Sequence, residues 1–335
     1  MEVIRKIRER AKSKKATIVL PEADDDRTLI AASELAEMEL VKPVLIGNSD
    51  DIIERFSALG LTYNSTKIRI VDIQKSGKLS DFTNEYFNFR KHKGISYEEA
   101  KSVMSSPLFF GAMMVHHQEA DGCVAGAVST TADVLRAGIQ IIGIEKEKAR
   151  LISSFFLMVF PDDHRAAPGR ALTYADCAVL PDPDAEALAD IAILTAESHQ
   201  QLTGEEPKVA MLSFSTKGSA AHENVTKVQK ATEIAKQKQP DLKIDGEMQF
   251  DAAFIEAIGK RKAPQSDVAG KANVFIFPNL DAGNIGYKLT ERLASATAIG
   301  PIIQGLVKPM NDLSRGAKPS DIVDVCCICA LKKQS

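Results

Sequence analysis

Apolar, β-branched runs alternate with segments of helical periodicity along nearly the whole chain. The runs ATIVLPE, VKPVLIG, KIRIVDI and GCVAGAV occur in the first half, and FFLMVF, ALTYADCAVL, KVAMLSF and ANVFIFPNL in the second. Most are followed by segments with apolar residues at helical spacing, such as DRTLIAASELAEME and DAEALADIAILTAESHQQL. Short apolar strands that alternate with helices are typical of mostly parallel sheets covered by helices on both faces. The sequence therefore predicts an α/β protein.

Length and composition narrow the class of protein further. The 335 residues predict about two domains, and 44% hydrophobic with 26% charged residues is ordinary for a globular protein. The formal net charge of −3 gives no global field that favours nucleic acid or an anionic membrane. No stretch approaches the roughly 20 apolar residues of a membrane span. The basic N-terminus lacks the apolar region of a secretory signal, so we expect a cytoplasmic protein.

Cysteine and histidine spacing gives no metal-binding pattern. The five cysteines include a C-x-x-C pair, Cys326 and Cys329, but this pair lies in an apolar helical run without a second pair or a nearby histidine. Buried small hydrophobic side chains are the favoured interpretation. Adjacent residues such as His116 and His117 are expected to point to different faces of a helix, which disfavours a joint metal site. We predict no metal.

Polar clusters follow three of the predicted strands. The clusters are STTAD (129–133), STKGS (215–219) and NLDAGNIGYK (279–288). Ligands on open α/β sheets bind beyond the carboxyl ends of the strands, and helix N-termini bind anions. The same serines and threonines could simply cap helices. Three clusters at one kind of strand end favour a phosphate-bearing ligand, although neither G-x-x-x-x-G-K-[ST] nor G-x-G-x-x-G is present.

The stretch KPMNDLSRGAKPSDI (308–322) concentrates reactive side chains between two apolar runs. Asn311, Asp312, Ser314, Arg315 and Asp321 lie within a dozen positions, separated by glycine and proline. Loops that carry catalytic residues have this composition, and so do loops that cap a helix and make a surface ion pair. The residues alone leave both interpretations open.

Long blocks of the chain resemble the phosphotransacetylase family of phosphate acetyl/butyryltransferases. The resemblance covers essentially all 335 residues and is carried by PEADDDRTLIAA, FRKHKG, STTADVLRAGIQIIG, YADCAVLPDPDAEALADIAI, VAMLSFSTKGSA, DGEMQFDAAF, GKANVFIFPNLDAGNIGYK and NDLSRG with a downstream DI. It implies acetyl transfer between acetyl phosphate and coenzyme A by direct thiolate attack in a ternary complex. Coenzyme A would be a substrate, with no tightly bound cofactor, and monovalent cations often stimulate the family.

The resemblance also implies an architecture. It predicts a two-domain α/β subunit, similar to isocitrate and isopropylmalate dehydrogenases, that forms a homodimer. The predicted domains are 1–146 plus 300–335, completed by the returning C-terminal segment, and 147–299. The active site is expected in the cleft between them.

Site residues follow from the matching positions. The resemblance implies that Asp321 is the general base, that Arg315 binds the acyl phosphate and that Ser314 assists catalysis. It implies coenzyme A binding by Arg90 and Arg136. Four further residues fall in blocks that line the cleft of the family: Ser129, Thr131, Tyr287 and Lys288.

One block departs from the pattern of the family. The family commonly reads RGCSVEDI, whereas this chain reads RGAKPSDI from Arg315 to Ile322. Lys318 replaces a serine suited to a helix N-cap, although Pro319 suits a first helical position. The departure puts the orientation of Asp321 in question, but not its identity.

These residue types fit the implied chemistry. An arginine can bind two phosphate oxygens at once and stabilise the charge on departing phosphate. A free thiol has a pKa of about 8.5 and a free aspartic acid about 3.9, so the unaided proton transfer is uphill by roughly 6 kcal/mol. A base held close to the thiol in a water-poor site reduces that cost.

Three alternatives remain from the sequence. The first is a phosphate butyryltransferase with a larger acyl pocket. The second is a metal-dependent decarboxylating dehydrogenase of the same fold, which would need several aspartates around a divalent metal and would turn over a nicotinamide. The third is a catalytically inactive, ligand-sensing relative, which retention of Ser314, Arg315 and Asp321 disfavours.

Overall fold

A computed structural model describes residues 1–146 and 150–333. The helices are α1 Glu2–Lys14, α2 Asp26–Glu37, α3 Ser49–Ala58, α4 Leu79–Arg90, α5 Tyr97–Met104, α6 Pro107–His116, α7 Thr131–Ala137, α8 Ala185–Thr203, α9 Glu223–Lys238, α10 Phe250–Phe254, α11 Glu256–Lys262, α12 Leu280–Leu293 and α13 Pro319–Leu331. The strands are β1 Thr17–Leu20, β2 Lys42–Ile46, β3 Arg69–Val71, β4 Gly122–Ala125, β5 Ser153–Val159, β6 Ala171–Ala175, β7 Lys208–Leu212, β8 Lys243–Met248, β9 Val274–Ile276, β10 Thr297–Gln304 and β11 Met310–Asp312.

The chain divides into two compact units. The first unit comprises Arg5–Gly143 and Leu306–Ser335, and the second comprises Met1–Ile4 and Ile144–Gly305. The domain boundary predicted at 146/147 falls next to residues 147–149, which lie outside the described residues. The boundary predicted at 299/300 falls inside β10. Because β10 pairs with β5 from Thr297 to Gln304, the second unit extends to Gly305.

The first unit is built on a parallel sheet of order β11-β4-β1-β2-β3. β11 adds to the edge beside β4, with Asn311 opposite Val124 and Asp312 opposite Ala125. The strands β1, β2 and β4 are mainly buried apolar runs, as expected of strands covered on both faces. Within α6, every residue from Leu108 to Val115 is buried, so this helix belongs to the core.

The second unit has a mixed six-stranded sheet of order β10-β5-β6-β9-β7-β8. The pairs β10–β5 and β5–β6 are antiparallel, and the others are parallel. Every residue of β5 and β6 is buried. Together with the first unit's sheet, this arrangement confirms the predicted α/β class with mostly parallel strands.

The prediction of buried cysteines is confirmed, whereas the predicted orientation of two histidines is not. All five cysteines are free and buried. The prediction that His116 and His117 point to different faces is wrong, because their ring centroids lie only 5.5 Å apart. The Nε2 atoms of both rings approach Glu85, at 3.3 and 2.6 Å.

The described residues contain neither a metal-binding cluster nor a membrane-spanning helix. No group of three or more histidine, cysteine, aspartate or glutamate side chains within 1–146 and 150–333 is arranged to hold a metal ion. In the same part of the chain, every helix is too short or too polar to cross a membrane.

Candidate active site

The loop after β11 forms a tight turn that presents Ser314 and Arg315 to solvent. The N–H of Ala317 donates to the carbonyl oxygen of Ser314 at 2.8 Å, which closes the turn. Ser314, Arg315 and Gly316 are exposed, whereas Ala317 is buried and anchors the turn. The Arg315 guanidinium makes no ion pair or hydrogen bond with any residue of 1–146 or 150–333. It is therefore available to an anionic ligand.

Asp321 lies in the first turn of α13 and is half-buried. Its Oδ2 accepts a hydrogen bond of 2.8 Å from the backbone N–H of Lys318, the residue that precedes the helix. The Lys318 side chain makes no capping bond and Pro319 opens the helix, so the bond from the Lys318 N–H to Asp321 is the half of a capping box that remains. This bond fixes one carboxylate oxygen toward the turn that carries Arg315.

The loop between β4 and α7 carries Ser129 and Thr131, but its backbone donors are already occupied. Glu22, 6% exposed, accepts hydrogen bonds from the N–H groups of four successive residues. These are Gly126 at 2.9 Å, Ala127 at 2.8 Å, Val128 at 3.2 Å and Ser129 at 2.7 Å. The anion cradle expected here is filled by a carboxylate of the chain itself. Ser129 keeps its hydroxyl for a ligand.

Thr131 connects the two loops through a buried carboxylate. Its hydroxyl donates to Oδ2 of Asp312 at 2.6 Å, and Asp312 is the last residue of β11. Burial raises the pKa of Asp312 to about 6. The bonds from Thr131 and Leu313 oppose this shift, and the negative charge of Glu22 adds to it.

Arg27 joins three segments at this end of the first sheet. Its guanidinium forms a two-bond ion pair with Asp25, with distances of 2.9 and 2.7 Å. It also donates to the carbonyl oxygens of Arg315 at 2.7 Å, Ala317 at 3.0 Å and Ala127 at 2.9 Å. One side chain thus holds the turn of Arg315 and the loop after β4 in a single arrangement.

The charges of Arg90 and Arg136 both act on the hydroxyl of Tyr86. This hydroxyl donates to Oε1 of Gln140, at 2.6 Å, in the π-helical turn Gly138–Ile142 that continues α7. Burial raises the pKa of Tyr86, and the charges of both arginines oppose that shift. Arg136 also pairs with Asp133 at 2.8 Å. The two arginines predicted to bind coenzyme A therefore share one neighbourhood of the first unit.

Tyr287 and Lys288 lie in the second unit, on α12. Tyr287 stacks on Phe156 with ring centroids 4.0 Å apart, and exposed Lys288 places its Nζ 5.9 Å from the Tyr287 ring centroid. Asn279 caps this helix, which begins at Leu280 inside the cluster NLDAGNIGYK. Gly283 lies inside that helix, where a Cβ would meet the carbonyl oxygen of Asp176 at 2.1 Å. This glycine therefore serves helix packing.

The cluster STKGS in the second unit is also occupied by a glutamate. Glu247, 2% exposed, accepts from the hydroxyl of Ser215 at 2.8 Å and from the N–H of Gly218 at 2.7 Å. A cavity of about 700 Å³ opens nearby along β8, but it contains none of the predicted site residues. Two of its lysines, Lys217 and Lys236, are engaged with Asp245 at 2.5 and 3.1 Å. This cavity therefore does not coincide with the predicted site residues.

Known proteins were compared with the chain as a whole. The model of the phosphate acetyl/butaryl transferase family matches residues 2–330. The chain belongs to this family. Among curated relatives, the phosphate acetyltransferase of Thermoanaerobacterium thermosaccharolyticum is 50% identical over 334 residues, which span 100% of both chains. Membership makes the protein an enzyme of the acyltransferase class.

Solved structures agree with this family and with the fold. A phosphotransacetylase from Streptococcus pyogenes aligns with a TM-score of 0.92 at 40% identity, covering 99% of this chain and 98% of the other. A more distant structure from Salmonella typhimurium, assigned to the 4-hydroxythreonine-4-phosphate dehydrogenases, aligns with a TM-score of 0.54. It is 12% identical and covers 95% of this chain and 99% of the other, which shows a shared fold only. The predicted dehydrogenase-like fold is confirmed at that level.

The sequence analysis did not predict two residues that hold the loops after β4 and β11 in place. Glu22 and Arg27 both lie in PEADDDR, directly after β1. The rule applied to the strand ends at 129, 215 and 279 covers this strand end as well. Both residues stand at such a strand end, but nothing in the local sequence indicates that they would bind the backbone of two distant loops.

Proposed function

We propose that this chain catalyses the reversible transfer of an acetyl group between acetyl phosphate and coenzyme A, giving acetyl-CoA and inorganic phosphate. The observation that carries the proposal is the loop after β11. There, Arg27 holds a turn whose Arg315 guanidinium has no partner in the described residues, and the half-buried carboxylate of Asp321 follows in the first turn of α13. Family membership supplies the reaction, and this loop supplies groups suited to it.

The proposed mechanism assigns one task to each group on the loop. Asp321 takes the proton from the thiol of coenzyme A, and the thiolate attacks the carbonyl carbon of acetyl phosphate. The bond from that carbon to the bridging oxygen then breaks, and the electron pair leaves with phosphate. Arg315 binds the phosphate and stabilises the charge that grows on the bridging oxygen. Ser314 assists by donating from its exposed hydroxyl.

The coenzyme carries phosphates at two ends, which suits paired arginines. We assign Arg90 and Arg136 to these phosphates because both lie near Tyr86. The ion pair of Arg136 with Asp133 is exposed and therefore exchangeable for a phosphate. Ser129, Thr131, Tyr287 and Lys288 complete the proposed binding residues. Coenzyme A acts as a substrate, and a monovalent cation that stimulates turnover is part of the proposal.

The acyl group is proposed to be acetyl rather than butyryl. Purified protein should form thioester from acetyl phosphate, followed by the absorbance of the thioester bond. It should do so with a kcat/KM at least tenfold above that for butyryl phosphate, because butyryl carries two additional methylenes and even one in a fitted pocket is worth about 1–3 kcal/mol. A reversed preference would assign the chain to the butyryl branch. Absence of thioester from either substrate would refute the proposed activity.

We also propose that the enzyme is a cytoplasmic homodimer that uses α12 as part of its interface. Ile285, Leu289 and Leu293 follow one another at helical spacing and are 58%, 53% and 80% exposed. An exposed apolar stripe of this kind marks an interaction surface.

The Leu289→Asp variant is expected to halve the molecular mass measured by analytical ultracentrifugation. A buried, unpaired charge at the interface would cost several kcal/mol. The matched control is Ile53→Asp, an exposed isoleucine on α3 with 38% exposure, which should leave the mass unchanged. A variant of Leu289 with an unchanged mass would remove α12 from the interface.

A further inference from the structure

Asp312 is a buried carboxylate that the proposed mechanism does not use. It is 1% exposed and is the last residue of β11, two positions before Ser314. Oδ2 accepts from the hydroxyl of Thr131. Oδ1 makes no hydrogen bond with any residue of the described ranges, although the N–H of Leu313 lies near enough to lower the pKa of the carboxyl. An incompletely satisfied carboxylate in a core costs folding free energy, so its presence there calls for an explanation.

The backbone around Asp312 is shaped to admit this carboxylate. Gly126, at the start of the loop after β4, has a φ of +112°. A Cβ on Gly126 would lie 2.3 Å from Oδ1 of Asp312 and 2.6 Å from the N–H nitrogen of Leu313. The two loops therefore approach each other more closely than any residue other than glycine allows. The contact is made where β11 gives way to the turn of Ser314.

The other groups of this contact restrain the same two loops. Glu22 holds the N–H groups of the loop after β4, and Arg27 connects Ala127 of that loop with the turn of Arg315. Asp312 and Thr131 form the connection between the end of β11 and the start of α7. Removing this bond would release the end of β11 from the start of α7, while the rest of the fold remains in place.

We propose that Asp312 is a positioning residue for acyl transfer, holding the turn of Ser314 and Arg315 against the loop of Ser129 through its bond to Thr131. This inference rests on the proposed function. Asp312 does not touch the substrates. It affects kcat because the end of β11 determines the position of the turn that carries Arg315. A displacement of about 1 Å at a reacting group can cost 10²-fold in rate.

The first test compares variants of Asp312 in turnover. Asp312→Leu removes the acceptor and keeps the branching at Cγ, with two methyl groups in place of two oxygens, and is expected to lower kcat about 10- to 100-fold. Asp312→Asn retains an oxygen that can accept from Thr131 but loses the charge, so the expected loss is about 3- to 10-fold. This second variant serves if the first does not fold. A kcat within twofold of wild type in both variants would overturn the proposal.

The control is a buried carboxylate of the same unit with a different task. Asp324 on α13 is 6% exposed and pairs with Arg8 at 2.7 Å. Asp324→Asn should lower Tm, because it removes the buried charge that faces Arg8 and leaves that guanidinium with Glu34 alone, while kcat below the transition stays at the wild-type value. The variants of Asp312 should show the opposite pattern, a lower kcat with little change in Tm at neutral pH.

The pH dependence of Tm tests whether Asp312 is ionised in its buried position. The pKa of Asp312 is about 6 when folded against an ordinary 3.8, and the charged group facing it is Glu22. Ionisation of Asp312 therefore disfavours the fold. This penalty is absent below pH 4, grows between pH 4 and 6 and is complete above pH 6. The Tm of Asp312→Leu minus that of wild type should rise as the pH goes from 4 to 7, and a flat or falling difference would contradict the buried charge.

A double-mutant cycle tests the route through Thr131. Thr131→Val removes the hydroxyl, whereas Thr131→Ser retains it and should restore most of the turnover. Because both changes break one bond, Asp312→Leu combined with Thr131→Val should lose little more than the larger single loss. Additive losses would overturn the proposed route. If wild type itself forms no acetyl-CoA, the proposed function fails, whereas an active wild type with unaffected variants refutes this inference alone.

Discussion

Asp321→Asn should lower kcat by about 10²- to 10⁴-fold, equivalent to roughly 3–5 kcal/mol of transition-state stabilisation, with little change in KM for either substrate. The amide cannot accept the thiol proton, so the reaction would depend on the small fraction of thiolate already present. The measurement is initial-rate thioester formation with each substrate varied in turn.

The structure separates this effect from a loss of helix stability. The Asp321 carboxylate also accepts the N–H of Lys318, and an asparagine oxygen can accept the same bond. The fold of α13 should therefore survive the change, with Tm shifted by only a few degrees. Asp51→Asn is the matched control, since Asp51 is the exposed third residue of α3. It should change neither kcat nor KM. Wild-type turnover in Asp321→Asn would eliminate the proposed base.

Arg315→Lys should lower kcat/KM for acetyl phosphate by about 10- to 100-fold while KM for coenzyme A stays near its wild-type value. A lysine keeps the charge but forms single hydrogen bonds, whereas arginine binds two phosphate oxygens in a fixed geometry. A charge-assisted hydrogen bond contributes about 1.5–3 kcal/mol, which sets the size of the loss. Steady-state kinetics with acetyl phosphate varied at saturating coenzyme A measure it.

The position of Arg315 makes this prediction specific. Arg27 binds the carbonyl oxygens of Arg315 and Ala317, so the backbone of the turn should stay in place when the side chain is shortened. The control is Arg5→Lys, at an exposed arginine that pairs with Glu9 within α1. It should leave both kinetic constants unchanged. Equal effects of Arg315→Lys on both substrates would argue for a structural role of the turn.

The alternation of strands and helices was predictable because each buried strand is an uninterrupted apolar run. The strands that escaped prediction lack that signal. β11 is only Met310–Asp312 and is largely polar, and β8 contains charged residues and a glycine. β10 contains Gly300 and Pro301, a pair that normally argues against a strand. It is accommodated at the edge of the second sheet, with a register shift between Ile299 and Ile302.

The occupancy of backbone donors could not be predicted from local sequence. STTAD and STKGS have the composition of anion-binding loops, but the N–H of Ser129 in the first binds Glu22 and the N–H of Gly218 in the second binds Glu247. Glu22 is separated from Ser129 by more than a hundred positions, and no local pattern connects them. Arg315 differs because its guanidinium remains free within the described part of the chain. The resemblance to a family identified residues by position, and the structure supplies their partners.

The pH dependence of wild type relative to Asp321→Asn most directly tests proton removal by Asp321. Without the base, the rate should follow the thiolate fraction and rise about tenfold per pH unit below the thiol pKa of about 8.5. Wild type should change much less over this range. The ratio of the two kcat values should therefore fall roughly fifteenfold between pH 7 and pH 8.5, where half of the thiol is ionised. A ratio that stays constant across this range would contradict the assignment of Asp321 as the base.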